Sequence, residues 1–144
     1  MANIKTAYGT ATALSISNLA TLASATLSAA STAVDNTSNL YLDYLVETTV
    51  TVGTVVAPAV VFIYAADTID NTNFSDITST SNLRLLGVLS TPTSATSYRS
   101  SAFSLAAAFG GTVPPKFQIL IYNSTGAAFT AGTAQYLGIY STAV

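Results

Sequence analysis

The side chains that could carry acid–base chemistry are few in this sequence and lie far apart along it. The 144 residues include six Asp and Glu and no His or Cys, so the commonest general base, the commonest metal ligand and every thiolate are missing. Asp43 and Glu47 share one side of a predicted strand, but their separation of roughly 13 Å at strand spacing exceeds the ~5–9.5 Å between glycosidase carboxylates. We interpret both as solubilising surface carboxylates. The sequence predicts no enzyme, no catalytic residue, no cofactor and no small-molecule substrate.

Residues 67–76 concentrate oxygen ligands of the kind that Ca²⁺ takes. The candidates are Asp67, Asp70, Asn71, Asn73 and Asp76. The stretch lacks the spacing, the central Gly and the closing Glu of an EF-hand, so we predict a hydrated, turn-rich loop without a metal, with ion binding left open as the alternative. Phe74 stands in the middle of this polar loop and indicates either an anchor on the domain or a contact with a partner.

Charge is scarce over the whole chain. Charged residues make up 7% of the sequence and the net charge is −2, against about 25% charged residues in an average soluble domain. The basic residues are scattered, namely Lys5, Arg84, Arg99 and Lys116. We therefore predict neither a nucleic-acid interface nor polybasic attachment to a membrane. A surface built of hydroxyls, amides and small apolar groups suits a protein that is packed against neighbours.

No membrane-spanning helix and no cleaved leader are expected. A spanning helix would need a run of about 18 apolar residues, which the sequence does not contain. The apolar region of a possible signal peptide near the N-terminus is interrupted by Ser15, Ser17, Asn18 and Thr21. The absence of Cys leaves the compartment open, because larger domains outside the cell often have no disulfide.

Residues 40–67 are the stretch around which we expect the fold to be organised, as a central β-hairpin. The first half alternates, and its predicted buried face consists of Leu40, Leu42, Tyr44, Val46, Thr48, Val50 and Val52. The second half, residues 59–67, is apolar on both faces, with Val61, Ile63 and Ala65 on one and Val60, Phe62 and Tyr64 on the other. A strand of this kind either lies deep in a sheet or presents one face to a partner.

Turn signals elsewhere separate further short strands and predict an all-β fold. Residues 1–10 are expected to form an N-terminal arm, either frayed or docked on a neighbouring subunit, and residues 11–144 a β-sandwich domain. Residues 18–34 are rich in Ser and Thr, which compete with a helical backbone, so strand and loop segments are expected there, with room for one helical turn. Gly87 indicates a bulge, and residues 104–109 indicate a short helical segment closed by Gly110 and Gly111. About seven or eight strands, with at most one or two helical turns, favour a single-domain jelly-roll or Greek-key β-sandwich.

Two stretches resemble the small capsid decoration, or cement, proteins of tailed bacteriophages, including those of podoviruses. Residues 14–54 and 103–126 carry the resemblance, in the motifs Ala33-Val34-Asp35-Asn36, Leu42-Asp43-Tyr44, Phe103-Ser104, Phe109-Gly110-Gly111 and Pro115-Lys116, before a final Gly-Ile-Tyr strand. The resemblance implies a jelly roll without enzymatic activity, made in the host bacterial cytoplasm. It further implies an oligomer on the outer surface of the capsid that bridges adjacent major capsid protein subunits.

The leading hypothesis is therefore a structural virion protein whose partner is the major capsid protein and which forms a homo-oligomer, a dimer being favoured over a trimer. The expected interaction residues are Ile4, Tyr8, Val60, Phe62, Tyr64 and Phe74. One alternative is another virion β-sandwich, such as a tail or fibre component, which threefold self-association would favour. A second is a secreted carbohydrate-binding or adhesin module, which would need exposed aromatic platforms. A hydrolase is the least supported, because no titratable groups converge.

Overall fold

Nearly all the regular structure of this chain is β-strand. The structure is a computed structural model that describes residues 3–143. Its strands are β1 Ile4–Tyr8, β2 Thr12–Leu14, β3 Thr26–Leu27, β4 Val34–Asp35, β5 Asp43–Val52, β6 Val60–Thr68, β7 Arg84–Ser90, β8 Ser97–Arg99, β9 Phe103–Ser104, β10 Lys116–Ser124 and β11 Phe129–Ala143. Its helices are single turns: an α-helical turn, α1, at Leu105–Ala108, and 3₁₀ turns at Leu19–Thr21 and Thr80–Asn82. Within the described range no helix is long and apolar enough to cross a membrane.

The strands form two antiparallel sheets that enclose one main core. Sheet I has the order β1-β11-β5-β8, with β2 also on β11 and β9 also on β5. Sheet II has the order β3-β10-β6-β7, with β4 also on β10. Three pairs of short strands (β1 and β2, β3 and β4, β8 and β9) each share one edge of a longer strand, so the strands of residues 3–143 fill eight positions. This is the strand order of a jelly roll, and it confirms the predicted all-β sandwich.

The predicted central hairpin is wrong. β5 pairs with β11, β8 and β9, whereas β6 pairs with β10 and β7. Residues 53–59 therefore carry the chain from sheet I to sheet II instead of turning it back beside itself. The physical reason is that alternation shows which face of a strand is buried but not which strand lies beside it. The apolar inner faces of β5 and β6 are therefore buried equally well on opposite sides of one core.

The core consists of alternate residues of the long strands. Fully buried side chains include Tyr44, Val46, Thr48, Val50 and Val52 on β5, Val61, Ile63 and Ala65 on β6, and Phe117, Ile119 and Ile121 on β10. Leu40 and Leu42 were expected to extend the buried face of β5, but they are 74% and 58% exposed. β5 begins only at Asp43, and Leu40 has a positive φ of 51°, so the chain turns before the strand starts.

Several local predictions are confirmed. The Ser104 hydroxyl accepts a hydrogen bond from Ala107 N at the start of α1, and Gly110 and Gly111 follow its end with φ values of 74° and 98°. The register between β6 and β7 shifts next to Gly87, as expected for a bulge. Residues 18–34 contain one 3₁₀ turn, β3 and the start of β4, and the rest is loop.

Candidate interaction surfaces

The two carboxylates on β5 hold neighbouring segments of the chain in place. Asp43 accepts hydrogen bonds from Ser104 Oγ at 2.6 Å and from Ala106 N at 2.8 Å, which fixes the start of α1 against β5. Glu47 forms an ion pair with Arg99 and accepts a hydrogen bond from Gln135 Nε2 at 3.0 Å. Both carboxylates are half-buried. Our interpretation of them as solubilising surface groups is therefore corrected: they connect strands of sheet I.

The polar loop of residues 67–76 directs its carboxylates at its own backbone. Asp70 Oδ1 accepts hydrogen bonds from Thr72 N, Asn73 N and Thr68 Oγ1, each at 2.8 Å. The hydrogen bonds from Asn73 and Thr72 hold the pKa of the Asp70 carboxyl well below its usual range. Among residues 3–143 no three acidic side chains come together in the way that a metal site would need.

Phe74 anchors that loop on the outer face of sheet II. It packs with Tyr64 against a small second core formed by Ala66, Leu83 and Leu120. Of the two roles that the sequence allowed for Phe74, contact with its own domain is the one observed. This second core also explains part of the double apolar character of β6, because the loop covers the end of the strand near Ala66.

The remainder of the outer face of sheet II carries apolar side chains that stay partly exposed within residues 3–143. Phe62 on β6 lies between Tyr122 on β10 and Val88 on β7, and the ring centroids of Phe62 and Tyr122 are 6.3 Å apart. Tyr64 pairs with Leu85 across the strands and stacks on Phe62 with a centroid distance of 6.3 Å. Because directly paired residues of antiparallel strands point to the same face, these side chains form one surface.

We call this surface the sheet II patch and define it as Val60, Phe62, Tyr64, Leu85, Val88 and Tyr122. Leu85 and Val88 are 48% and 46% exposed and the other four are half-buried. None of the six is an acidic or basic residue. The outer face of sheet I differs, because it carries the Glu47–Arg99 ion pair and Asp43.

Three of the six residues of the sheet II patch are among the residues expected from the sequence to contact a partner. Val60, Phe62 and Tyr64 were expected interaction residues, whereas Leu85, Val88 and Tyr122 were missed. Tyr122 belongs to a strand whose alternation indicates only which face is buried. The register between β10 and β6, which no local pattern contains, is what places Tyr122 beside Phe62.

A second exposed feature is formed by both ends of the described chain. β1 pairs with residues 139–143 of β11, from Ile4 opposite Ala143 to Tyr8 opposite Ile139. β5 pairs with β11 only as far as Ile139, so beyond this point β1 is the one strand that pairs with β11 within residues 3–143. We call this two-stranded segment the terminal ribbon. Ile4 and Tyr8, both expected interaction residues, are 76% and 63% exposed on it.

Most of the expected interaction residues lie on the two surfaces described above. The sheet II patch and the terminal ribbon contain five of the six expected interaction residues, and Phe74 lies beside the patch. No protein-family model matches this sequence, and no curated protein sequence matches it.

Proposed function

We propose that this chain is a structural virion protein that binds the outside of a tailed-phage head and cements adjacent major capsid protein subunits. The observation that carries the proposal is the sheet II patch, an uncharged surface of apolar and aromatic side chains on the outer face of sheet II. Apolar patches on soluble proteins are often functional, and the usual occupant of an aromatic one is another protein. The resemblance of residues 14–54 and 103–126 to cement proteins names the partner.

The size of the patch indicates how it would act. A face three strands wide and five residues long measures roughly 14 Å by 17 Å at ordinary strand dimensions. A standard interface buries about 800 Å² on each partner, so a single patch supplies a weak contact. On a repeating shell, many weak contacts made at once give high avidity, which is the mode of binding that a cement protein needs.

The direct test is co-sedimentation of the purified protein with heads assembled from the major capsid protein of the phage that encodes it. Phe62→Ser should reduce the bound fraction at least about tenfold, because truncating an aromatic anchor in the centre of an interface costs about 2 kcal/mol or more. Leu137→Ser, on the outer face of sheet I, is the matched control and should bind like the wild-type protein. Binding of the wild-type protein should also change little with salt, because the patch has no charge.

Two results would contradict the proposal. In the first, the wild-type protein stays in the supernatant at every concentration of heads. In the second, Phe62→Ser and Leu137→Ser lose binding equally, which would show that the sheet II patch has no specific part. Circular dichroism of both variants checks that each one is folded.

The aromatic side chains of the patch also favour a second candidate, a carbohydrate-binding module. Phe62, Tyr64 and Tyr122 form a half-exposed aromatic group on the outer face of sheet II, and such rings offer a surface on which a sugar ring can stack. Sugar recognition also needs free polar groups, and the amide of nearby Gln118 already donates to Ser31 O at 3.0 Å. Titration with soluble polysaccharides separates the two candidates, since only a sugar-binding module would release heat.

A further inference from the structure

The terminal ribbon has one open edge whose hydrogen-bonding groups can be assigned. Gly9 N donates to Gly138 O at 2.8 Å, and Leu42 N donates to Ile139 O at 2.7 Å. The backbone groups of Gly138 therefore face β1, whereas those of Ile139 face away from it. Because these directions alternate along an antiparallel pair, the N–H and C=O groups of Ile4, Thr6 and Tyr8 point away from β11. Within residues 3–143 no other strand lies beside that edge.

We propose that a second copy of this chain occupies this edge, with the two β1 strands paired antiparallel about a twofold axis at Thr6. This register opposes Thr6 to Thr6 of the second copy and Ile4 to its Tyr8. All three outward-facing residues of each strand then form hydrogen-bonded pairs. Sheet I of one copy and sheet I of the other then join into one continuous sheet. This pairing does not depend on capsid binding.

The side chains fit the same register. Ile4 and Tyr8 are the two large apolar residues of β1 and both are mostly exposed. The twofold pairing places Ile4 of each copy opposite Tyr8 of the other. Two apolar pairs then flank a central pair of threonines, which is a favourable set of cross-strand neighbours. Lys5, the single charge of β1, lies opposite Ala7 of the second copy and does not face another Lys.

The position of the ribbon allows the two copies to approach. β1 and the end of β11 extend past β5, which starts at Asp43. In an antiparallel pair the two bodies lie at opposite ends of the joined strands, so the sandwiches do not collide. A two-stranded ribbon is marginal by itself, and the second copy supplies the further strands that stabilise it. The contact is smaller than a standard interface, so the dimer is expected to dissociate on dilution.

Sedimentation velocity over a dilution series tests the pairing. The wild-type protein should sediment as a dimer at high concentration and approach the monomer mass of 14.7 kDa on dilution. Thr6→Pro should sediment as a monomer throughout, since it removes an N–H that points to the open edge and breaks no bond to β11. Ser97→Pro is the matched control, because Ser97 likewise faces outward on β8 at the opposite edge of sheet I, and it should sediment like the wild-type protein.

Cross-linking supplies a test that does not depend on a proline. The chain has no Cys, so Thr6→Cys introduces a single thiol at the twofold axis, where the Cα atoms of a strand pair are about 5.5 Å apart and within disulfide range. Mild oxidation should convert Thr6→Cys into a reducible covalent dimer and leave Ser97→Cys monomeric. The proposal is overturned if Thr6→Pro dimerises like the wild type, if the wild type is a monomer or trimer at all concentrations, or if both thiols cross-link equally.

Discussion

At the scale of single residues, amides and hydroxyls replace the charged side chains that this sequence lacks. Asn36 is almost fully buried, and its side-chain oxygen accepts hydrogen bonds from Tyr44 OH at 2.9 Å and from Tyr41 N at 2.8 Å. Its amide nitrogen donates to Tyr41 O at 3.1 Å. One amide thus connects the loop before β5 to the largest side chain of the core. Burial raises the pKa of Tyr44 to about 12.

The Asn36–Tyr44 pair predicts two unequal losses of stability. Tyr44→Phe should lower the free energy of unfolding by about 1 kcal/mol, because Asn36 keeps its other partners. Asn36→Ala should lower the free energy of unfolding by about 2–3 kcal/mol. It leaves the buried Tyr44 hydroxyl and the backbone N–H and C=O of Tyr41 without their partners. Urea unfolding of both variants at neutral pH checks the order, and equal losses would contradict it.

The raised pKa of Tyr44 predicts an alkaline transition. The unfolded chain ionises this phenol near its ordinary pKa of 10, and the folded chain only near 12. The stability due to the neutral phenol is therefore complete below pH 10 and is lost as the pH rises toward 12. The stability of Tyr44→Phe should fall less steeply than that of the wild type over this range. Thermal unfolding at a series of alkaline pH values measures the difference, and parallel profiles would contradict the assignment.

At the scale of elements, most strands could be predicted from alternation, but their partners could not. The buried side of β5 was correct from Tyr44 onward, since a strict alternation of apolar and polar residues has one solution in a half-buried strand. The assignment of β5 and β6 to one hairpin failed, because a jelly roll places consecutive strands in opposite sheets and local sequence does not record that choice. The same limit applies to the sheet II patch, of which the sequence indicated only the residues on β6.

Residues 18–34 show why the Ser-rich stretch forms neither a helix nor a continuous strand. The Ser28 hydroxyl accepts a hydrogen bond from Ile121 N, and the Ser31 hydroxyl accepts one from Ile119 N, each at 2.9 Å. These hydroxyls therefore accept hydrogen bonds from backbone N–H groups of β10 in the gap between β3 and β4, where no strand of residues 3–143 pairs with it on that side. Competition between hydroxyls and the backbone was predictable from composition, but the amides with which they pair became visible only in the fold.

Asp70, in the loop of residues 67–76, should make the stability of the fold depend on pH in the acidic range. Asp70 has a pKa below its ordinary value of 3.8, because it accepts hydrogen bonds from Asn73 and Thr72. The stabilisation that the ionised Asp70 carboxylate provides is fully present above pH 3.8. It is lost as the pH falls through the lower pKa that Asp70 has in the folded chain. The chain has no His, so its side chains should leave stability nearly flat from about pH 5 to 8. Thermal unfolding of wild type and Asp70→Asn should converge at low pH, and a wild-type transition near pH 6 would contradict this.

At the scale of the whole molecule, the proposed pairing determines where the sheet II patch points. The twofold axis at Thr6 is perpendicular to the joined sheet, so both copies carry sheet II on the same side of it. The two patches of a dimer then face one common surface. A single patch is too small for firm attachment, but two that face the same way suit adjacent sites on a shell.

This arrangement predicts that loss of the dimer and loss of the patch weaken binding to heads in different ways. Thr6→Pro leaves each patch intact, so the monomer should still bind, with an apparent affinity lower by a factor on the order of 100 or more because the second attachment is no longer intramolecular. Phe62→Ser weakens every contact and should reduce binding in dimer and monomer alike. Surface plasmon resonance on immobilised heads distinguishes the two losses. Thr6→Pro should dissociate quickly from the heads whether little or much of it is bound, whereas the wild type should dissociate slowly. If Thr6→Pro dissociated as slowly as the wild type, the patches would act singly, and the shell contact would have to be larger than the sheet II patch.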